Sequence, residues 1–406
     1  MISICDAFND IPADWFFSSY GLDTEFLKGR RLNVDLVSWA IQKKLSLMGC
    51  DLSDLHLPEV DFSSMDLGSA NFENAYLPGA NFEGAELGDA NFKNACLPGA
   101  NFEGAELGDA NFTKATLDNA HFTRAKLSSA TFTCAILSKA DFTEADITAT
   151  GFEGANLDYA IIKDISAAMC TTFKDASLKF ARLINYQFFS TSFENAVLTN
   201  AELCPGVEKI DASSCDFRNA NLRGAKLDGI VFKTTKFAGA NFERAELTNV
   251  RFEPDSLLYK GVLEGAKLDI GLVEFAISRG LSLADCRLHN LNLKGLDLSG
   301  MNLRGAYLCE VDFSSAVISN VNFSGSKISS VVFPDNFDVD SCDFSDVEIL
   351  SNSGNLSADP LVAKLKKGYE ATFYGGKFGV FMKNARTVKF GVKLVEAPLF
   401  EPRYRI

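Results

Sequence analysis

Every fifth residue from Phe62 to Leu157 is apolar, and Phe alternates with Leu or Ile along those twenty positions. Two residues before each stands almost always a small side chain: every fifth position from Ala70 to Ala145 is Ala, sixteen in succession. The unit reads Ala, Asn or Asp, Leu or Phe, then two polar residues, as in Ala80-Asn81-Phe82-Glu83-Gly84. A period of five matches neither a helix nor a strand, whose apolar periods are about 3.6 and 2. It belongs to a tight coil. Residues 71–90 and 91–110 differ only at Glu73/Lys93 and Tyr76/Cys96, so twenty residues is the duplicated block and four pentapeptides are expected per turn. On four sides, Phe82, Phe102 and Phe122 fall in one column and Leu87, Leu107 and Leu127 in the next, like over like at about the 4.8 Å strand spacing. The small residue at the other inward position leaves room for the rings.

This AN[LF]xx pattern resembles the pentapeptide-repeat family over roughly residues 47–350. The resemblance implies an all-β solenoid, a right-handed quadrilateral β-helix. Three interruptions then divide the chain. The frame slips by one residue between Ile162 and Phe173, and residues 204–215, with Pro205-Gly206, break it again. Such interruptions are either tolerated insertions or, because loops on a rigid stack are where binding function concentrates, a site in which Pro205, Gly206, Glu208 and Lys209 form a candidate binding loop. The third interruption is a duplication: residues 36–52 match residues 272–288 at nine of seventeen positions.

In both copies apolar residues fall on one helical stripe, Leu36/Val37/Ala40/Ile41 and Leu272/Val273/Ala276/Ile277. Asp35 and Asp269 are the expected N-caps, and Gly280 the expected end of the second helix. A solenoid exposes unpaired backbone at its first coil, so each helix is expected to act as a lid on a β-helix. The predicted domains are an N-terminal segment and cap helix (1–46), a first β-helix (47–254), a joint with the second cap helix (255–282), a second β-helix (283–350) and a basic non-repeat segment (351–406). Trp15 and Tyr20 are expected to pack on the first cap. Residues 361–367 read as a basic helical turn, and residues 371–378 as a hairpin through Gly375-Gly376, with further strands near 380–382 and 388–394.

The net charge of −14 is not spread evenly. Residues 51–160 carry 18 acidic and 5 basic side chains, whereas residues 355–406 carry 4 and 10. In the twenty-residue register Asp66, Glu86 and Glu106 share a column, Asp89 and Asp109 a second, and Glu83 and Glu103 a third. These seven form an acidic stripe, either a solvated face or a docking site for a basic partner. Four of the ten Cys (Cys50, Cys215, Cys286, Cys342) take the small inward position and read as reduced core filler. No stretch reaches the about 18 apolar residues of a membrane-spanning helix, and the start shows no Sec-type signal. A cytoplasmic location, or delivery to a host cytoplasm by a specialised secretion system, is expected.

No catalytic constellation stands out. His56, His121 and His289 lie in no motif, and no HExxH, GxSxG or phosphate-cradling signature occurs. Neither a cofactor nor a metal site is expected, nor direct nucleic-acid binding. Two functional classes fit. One is a non-enzymatic protein-binding scaffold of unidentified partner, similar to bacterial pentapeptide-repeat effectors acting in a host cell. The other is a DNA mimic similar to pentapeptide proteins that bind type II topoisomerase. The acidic coils favour the second, while the paired helices, frame slips and basic tail favour the first.

Overall fold

The computed structural model describes residues 27–165, 168–206, 209–253, 256, 258–335, 337–351, 371–372, 379–382 and 391–396. They belong to two compact units, Met1–Ala240 with Phe252–Leu257, and Asn241–Arg251 with Leu258–Ile406.

In the first unit the pentapeptide closes its own backbone accounts. Taking residues 80–84, the Ala80 N–H donates to Leu77 O across the preceding turn (3.2 Å), Asn81 N to Val60 O one coil below (2.8 Å), and Phe82 N to Asn101 O one coil above (2.7 Å). Glu83 N donates to the Asn81 side chain (3.2 Å) and Gly84 N to Glu103 O (2.8 Å). Every N–H of the unit therefore has a partner, although no strand exceeds a few residues. The turn needs a positive φ at its third position, where Gly84 has 61° and Gly104 64°. The same position in other coils is held by Asn74 and Asn94, which tolerate that region, but also by Arg124, Tyr159 and Phe180, which do not favour it.

Bridges run parallel at intervals of twenty, Asp61 to Asn81 to Asn101 to His121 to Asp141 to Ile161. This is the four-sided solenoid expected from the duplicated block. Phe82 and Phe102 stack at 4.8 Å and 1°, as do Phe92 and Phe112 at 4.7 Å and 1°. Rings of the two opposite Phe columns meet edge to face, Phe82 against Phe92 at 5.5 Å and 87°. Both geometries are favourable for aromatic quadrupoles. Ala80, Ala100 and Leu87 are fully buried between them.

Both frame slips in this unit are absorbed within a single coil. Gly151 pairs with Thr172 and Ser192 with Asp216, spacings of 21 and 24, and the twenty-residue register then resumes. Strands Ile161–Lys163, Arg182–Ile184, Glu202–Cys204 and Lys226–Asp228 stack in parallel across the slips. The core is repacked there. Tyr186 fills an inward position held by Ile165 in the coil below and by Ala145 and Ala125 beneath that, while Ala168 takes one held by Leu or Ile, and the Tyr186 ring packs edge-on against Phe188 at 4.5 Å. The coils around the slips also replace Ala by Thr in one inward column. Thr150 and Thr171 donate to Leu127 O (2.9 Å) and Ile147 O (2.8 Å), so their hydroxyls are satisfied inside the core.

Helix α1, Val34–Gln42, lies inside a coil rather than ahead of one, because Arg31 already bridges Asp51. Its N-cap is Asn33, whose side chain accepts from Leu36 N at 2.9 Å; Asp35, the expected cap, sits in the first turn instead. Leu36, Val37, Trp39 and Ala40 are buried.

In the second unit, Glu246–Thr248, Lys267–Leu268, Arg287–His289, Tyr307–Cys309, Lys327–Ser329 and Glu348–Ser351 form one parallel ladder. Helix α2, Ile270–Arg279, leaves and re-enters within the coil between Lys267 and Arg287, capped by Asp269 (2.9 Å to Leu272 N) and by Gly280 at φ 62°. Pairing continues on both sides of that coil. The helix thus lies within one coil of a running ladder, and Gly265 and Lys267, in the expected joint, pair with the neighbouring coils. A further one-residue slip, between Asn322 and Asp343, accommodates the short 3-10 turn Val339–Ser341. At the far end Gly391–Glu396 adds in parallel to Glu348–Ser351, then Gly379–Met382 and Ala371–Thr372 follow antiparallel. Ala371 and Thr372 pair with Met382 and Phe381, whereas residues 373–378 of the expected hairpin with its Gly375-Gly376 turn, the 361–367 segment, Trp15 and Tyr20 lie outside the described residues.

Candidate protein-binding surface

The faces of the coil are built from three outward positions per pentapeptide: the Asn/Asp position before the central apolar residue and the two turn residues after it. The first is not free decoration. Asn101 accepts from Glu103 N (3.0 Å) and donates to Asn81 (3.0 Å), which donates to Asp61 (3.0 Å). The Asp61 carboxyl is held below its ordinary pKa by hydrogen bonds from the side chain and backbone of Ser63, with burial opposing and Asn81 adding. Sequence reading did not single this column out, although the recurrent Asn/Asp before each Phe was its signal.

The acidic columns fall where the twenty-residue register puts them. Asp66 bridges Glu86 and Glu86 bridges Glu106, on the face that follows Phe82 and Phe102 around the coil. The next residue in that column is Lys126, which pairs with Glu106 at 2.6 Å, and Arg124 pairs with Glu103. Asp66 accepts from the Ser46 hydroxyl at 2.6 Å. Glu83, Glu86, Asp89 and Asp109 have no salt bridge among the described residues. The stripe is therefore short and partly neutralised at its upper end. Exposed pairs of this kind add little stability.

The candidate loop leaves the ladder after Cys204. Gly206 lies against Asn185, whose side chain donates to Asp164 at 2.9 Å, and Gln187 clamps the return by donating to Lys209 O (3.5 Å) and accepting from Asp211 N (2.7 Å). Pro205 sits against Gly229, where a Cβ would come within 2.8 Å of its ring. Glu208 lies outside the described residues.

Sequence reading missed the exposed apolar side chains of the first slip. Tyr159 and Phe180 stack at 5.0 Å, 53% and 44% exposed. Met169 and Phe189 are 55% and 45% exposed and occupy successive coils, as the bonds Ala149 N to Met169 O (2.8 Å) and Cys170 N to Phe189 O (3.4 Å) require. Their signal was available: a large apolar residue at turn positions that in the coils below hold Gly, Ser, Thr or a charged or amide residue such as Asn119 and Lys139.

The inward cysteines are donors as well as filler. Cys50, Cys215 and Cys286 donate to Leu27 O, Phe188 O and Leu263 O at 3.2, 2.8 and 3.0 Å. Burial pushes the Cys215 and Cys286 thiols up to about 12. Among the described residues no cluster of His, Cys, Asp and Glu could hold a metal ion, and no helix is long and apolar enough to cross a membrane.

The family profile described as "Pentapeptide repeats" matches in eight copies over residues 46–164, 215–253 and 281–331, slightly more than half of the chain. Among solved structures, the chain is similar to HetL, a pentapeptide repeat protein involved in heterocyst differentiation regulation in the cyanobacterium Nostoc, at 22% identity, covering 75% of this chain and 99% of that one with a TM-score of 0.18. A pentapeptide repeat protein from the Arabidopsis thaliana thylakoid lumen shares 30% identity over 34% of this chain and 74% of its own (TM-score 0.16). QnrB1, a plasmid-mediated fluoroquinolone resistance protein, shares 16% over 62% and 94% (TM-score 0.21). No curated protein matches the chain at a significant level. With its register, its fully bonded five-residue unit and the profile match over more than half of its length, the chain belongs to the pentapeptide-repeat family.

Proposed function

We propose that this protein is a non-enzymatic scaffold that binds another protein through the side chains around its first frame slip. The observation that carries this reading is the exposure of Tyr159, Met169, Phe180 and Phe189 on coils whose other outward positions are mostly small or polar. Large apolar side chains held in water on a rigid frame are anchors in need of a partner, because such groups dominate binding energy once buried. Tyr159 and Phe180 also occupy the left-handed backbone region, at φ 64° and 58°, where a bulky residue is disfavoured. The clamped loop at Pro205, Gly206 and Lys209 lies within the next two coils.

The DNA-mimic reading draws its support from the register of Asp66, Glu86 and Glu106. Against it weigh the shortness of that column and its pairing with Lys126. The test compares capture from bacterial and eukaryotic lysates by the native chain and by a Tyr159→Ser, Met169→Ser, Phe180→Ser, Phe189→Ser variant. A partner retained by the first and lost by the second supports the scaffold; retention of the same proteins by both contradicts it. The host-acting version further predicts translocation of a reporter fusion into host cells.

A further inference from the structure

Along one corner of the coil the outward turn positions change character in a fixed order. Asp89 and Asp109 stand in one column, and in the coils above them the same column holds Ser129, Ala149, Cys170 and Ser190, traced by the bonds Asp89 N to Gly108 O, Asp109 N to Ser128 O, Ser129 N to Thr148 O and Ala149 N to Met169 O. The neighbouring column runs Gly88, Gly108, Ser128, Thr148, Met169, Phe189, Ser213. Beside the acidic end stand Glu86 and Glu106. The corner thus carries carboxylates at one end, of which Glu106 alone is paired among the described residues, small uncharged turn residues in the middle with Lys126 and Asp146 in the column beside them, and two exposed apolar side chains at the other end. From Asp89 to Ser190 is five coils, about 24 Å at the usual strand spacing, the span of roughly seven or eight extended residues.

We propose that this corner docks an extended polypeptide segment with Lys or Arg at one end and a large apolar residue at the other. Charge complementarity selects the occupant: among the described residues Glu86, Asp89 and Asp109 have no salt bridge, and of the carboxylates at this end only Glu106 is already paired, with Lys126 at 2.6 Å, so three are left for a cationic partner. The small side chains between let a backbone lie close to the coil. Met169, flexible and polarisable, and Phe189 bury the anchor. The opposite corner supports no such choice. There the Tyr159–Phe180 stack is surrounded by charges that pair among themselves, Lys163 with Asp164 at 3.3 Å, Lys179 with Asp158 at 3.9 Å and Arg182 with Glu202 at 3.1 Å. This inference rests on the scaffold reading and names the chemistry of one of its partners.

The test uses the full chain and three fluorescein-labelled synthetic peptides of about twelve residues: Lys/Arg-rich with a Phe-Leu end, the same with the end replaced by Ser, and a Glu-rich version keeping the Phe-Leu end. Fluorescence anisotropy at low and high salt reads the affinity. The first peptide is expected to bind, and each of the others about tenfold or more weaker. Met169→Ser with Phe189→Ser should weaken the first peptide about tenfold, and Glu86→Gln, Asp89→Asn, Asp109→Asn should weaken it and flatten its salt dependence. Tyr159→Ser with Phe180→Ser should change nothing. All these positions are outward, and an unchanged melting temperature confirms that each variant is folded. Equal binding of the Ser-ended peptide, or indifference to Met169 and Phe189, overturns the proposal. If no peptide binds while lysate proteins are still lost from the Tyr159/Phe180 variant, the proposal falls and the scaffold reading stands.

Discussion

The Phe82 and Phe102 rings, twenty residues apart, stack 4.8 Å from each other and within 1° of parallel. The spacing equals the strand-to-strand distance, so each ring rests on the one below without a rotamer change. Phe102 is fully buried and also meets Phe92 and Phe112 edge to face at 5.7 and 5.5 Å. Phe102→Ala should cost about 3–5 kcal/mol and Ala100→Leu about 1–3 kcal/mol by overpacking, whereas Glu103→Ala should leave stability nearly unchanged. Chemical denaturation of the three variants checks this order.

Asn101 closes a turn and a coil-to-coil bond at once, at 3.0 Å each. Asn101→Ala leaves Glu103 N without its intramolecular partner and is expected to cost about 1 kcal/mol, measured by the same denaturation experiment. Asn101→Leu should behave no better, because the loss is of hydrogen bonds and not of volume.

Burial raises the Cys215 and Cys286 thiols from 9.0 to about 12. A folded-state pKa above the unfolded one means that the contribution to stability is intact below pH 9 and is lost as pH rises towards 12, by about 1.4 kcal/mol per pH unit per thiol. Urea midpoints should therefore fall across that window. In native protein at pH 8, Cys134 and Cys170, both exposed, should react with a thiol reagent quickly, and Cys215 and Cys286 only after unfolding.

Much of this molecule is legible in its sequence because each repeat faces the same surroundings. The period of five, the inward Ala and the Phe columns all follow from identical side chains stacking on themselves. What the sequence concealed were the places where that repetition fails. Residues 36–52 and 272–288 look like two lids, yet Arg31 and Lys267 pair beyond them, because a helix can replace two sides of a coil without ending the ladder. Asn33 caps α1 although Asp35 is the more conspicuous acid, since the cap must precede the first helical residue by its backbone geometry. Phe344 stands eleven residues after Phe333, one more than two repeats, and that displacement was the visible trace of the slip at Val339–Ser341. The column shared by Asp66, Glu86 and Glu106 follows from the twenty-residue register, but the pairing of Glu103 with Arg124 and of Glu106 with Lys126 depends on side-chain reach, which spacing alone does not fix.

A DNA-mimicking role would make the stripe inhibitory. With Glu103 and Glu106 already paired, stoichiometric protein is expected to leave DNA gyrase supercoiling unaffected. Inhibition that disappears on reversing Asp66, Glu86, Asp89, Glu106 and Asp109 to Lys would move the account to that alternative.

The most direct measurement places a photo-crosslinking amino acid at Phe180, Phe189 and, for comparison, at Gly99 and Asn119 on regular coils. Irradiated cells producing the full chain are then searched for covalent adducts. A partner protein joined at Phe180 or Phe189 and absent from the two regular positions is the predicted result; adducts equally frequent at all four, or confined to Gly99 and Asn119, would contradict a binding surface at the first frame slip.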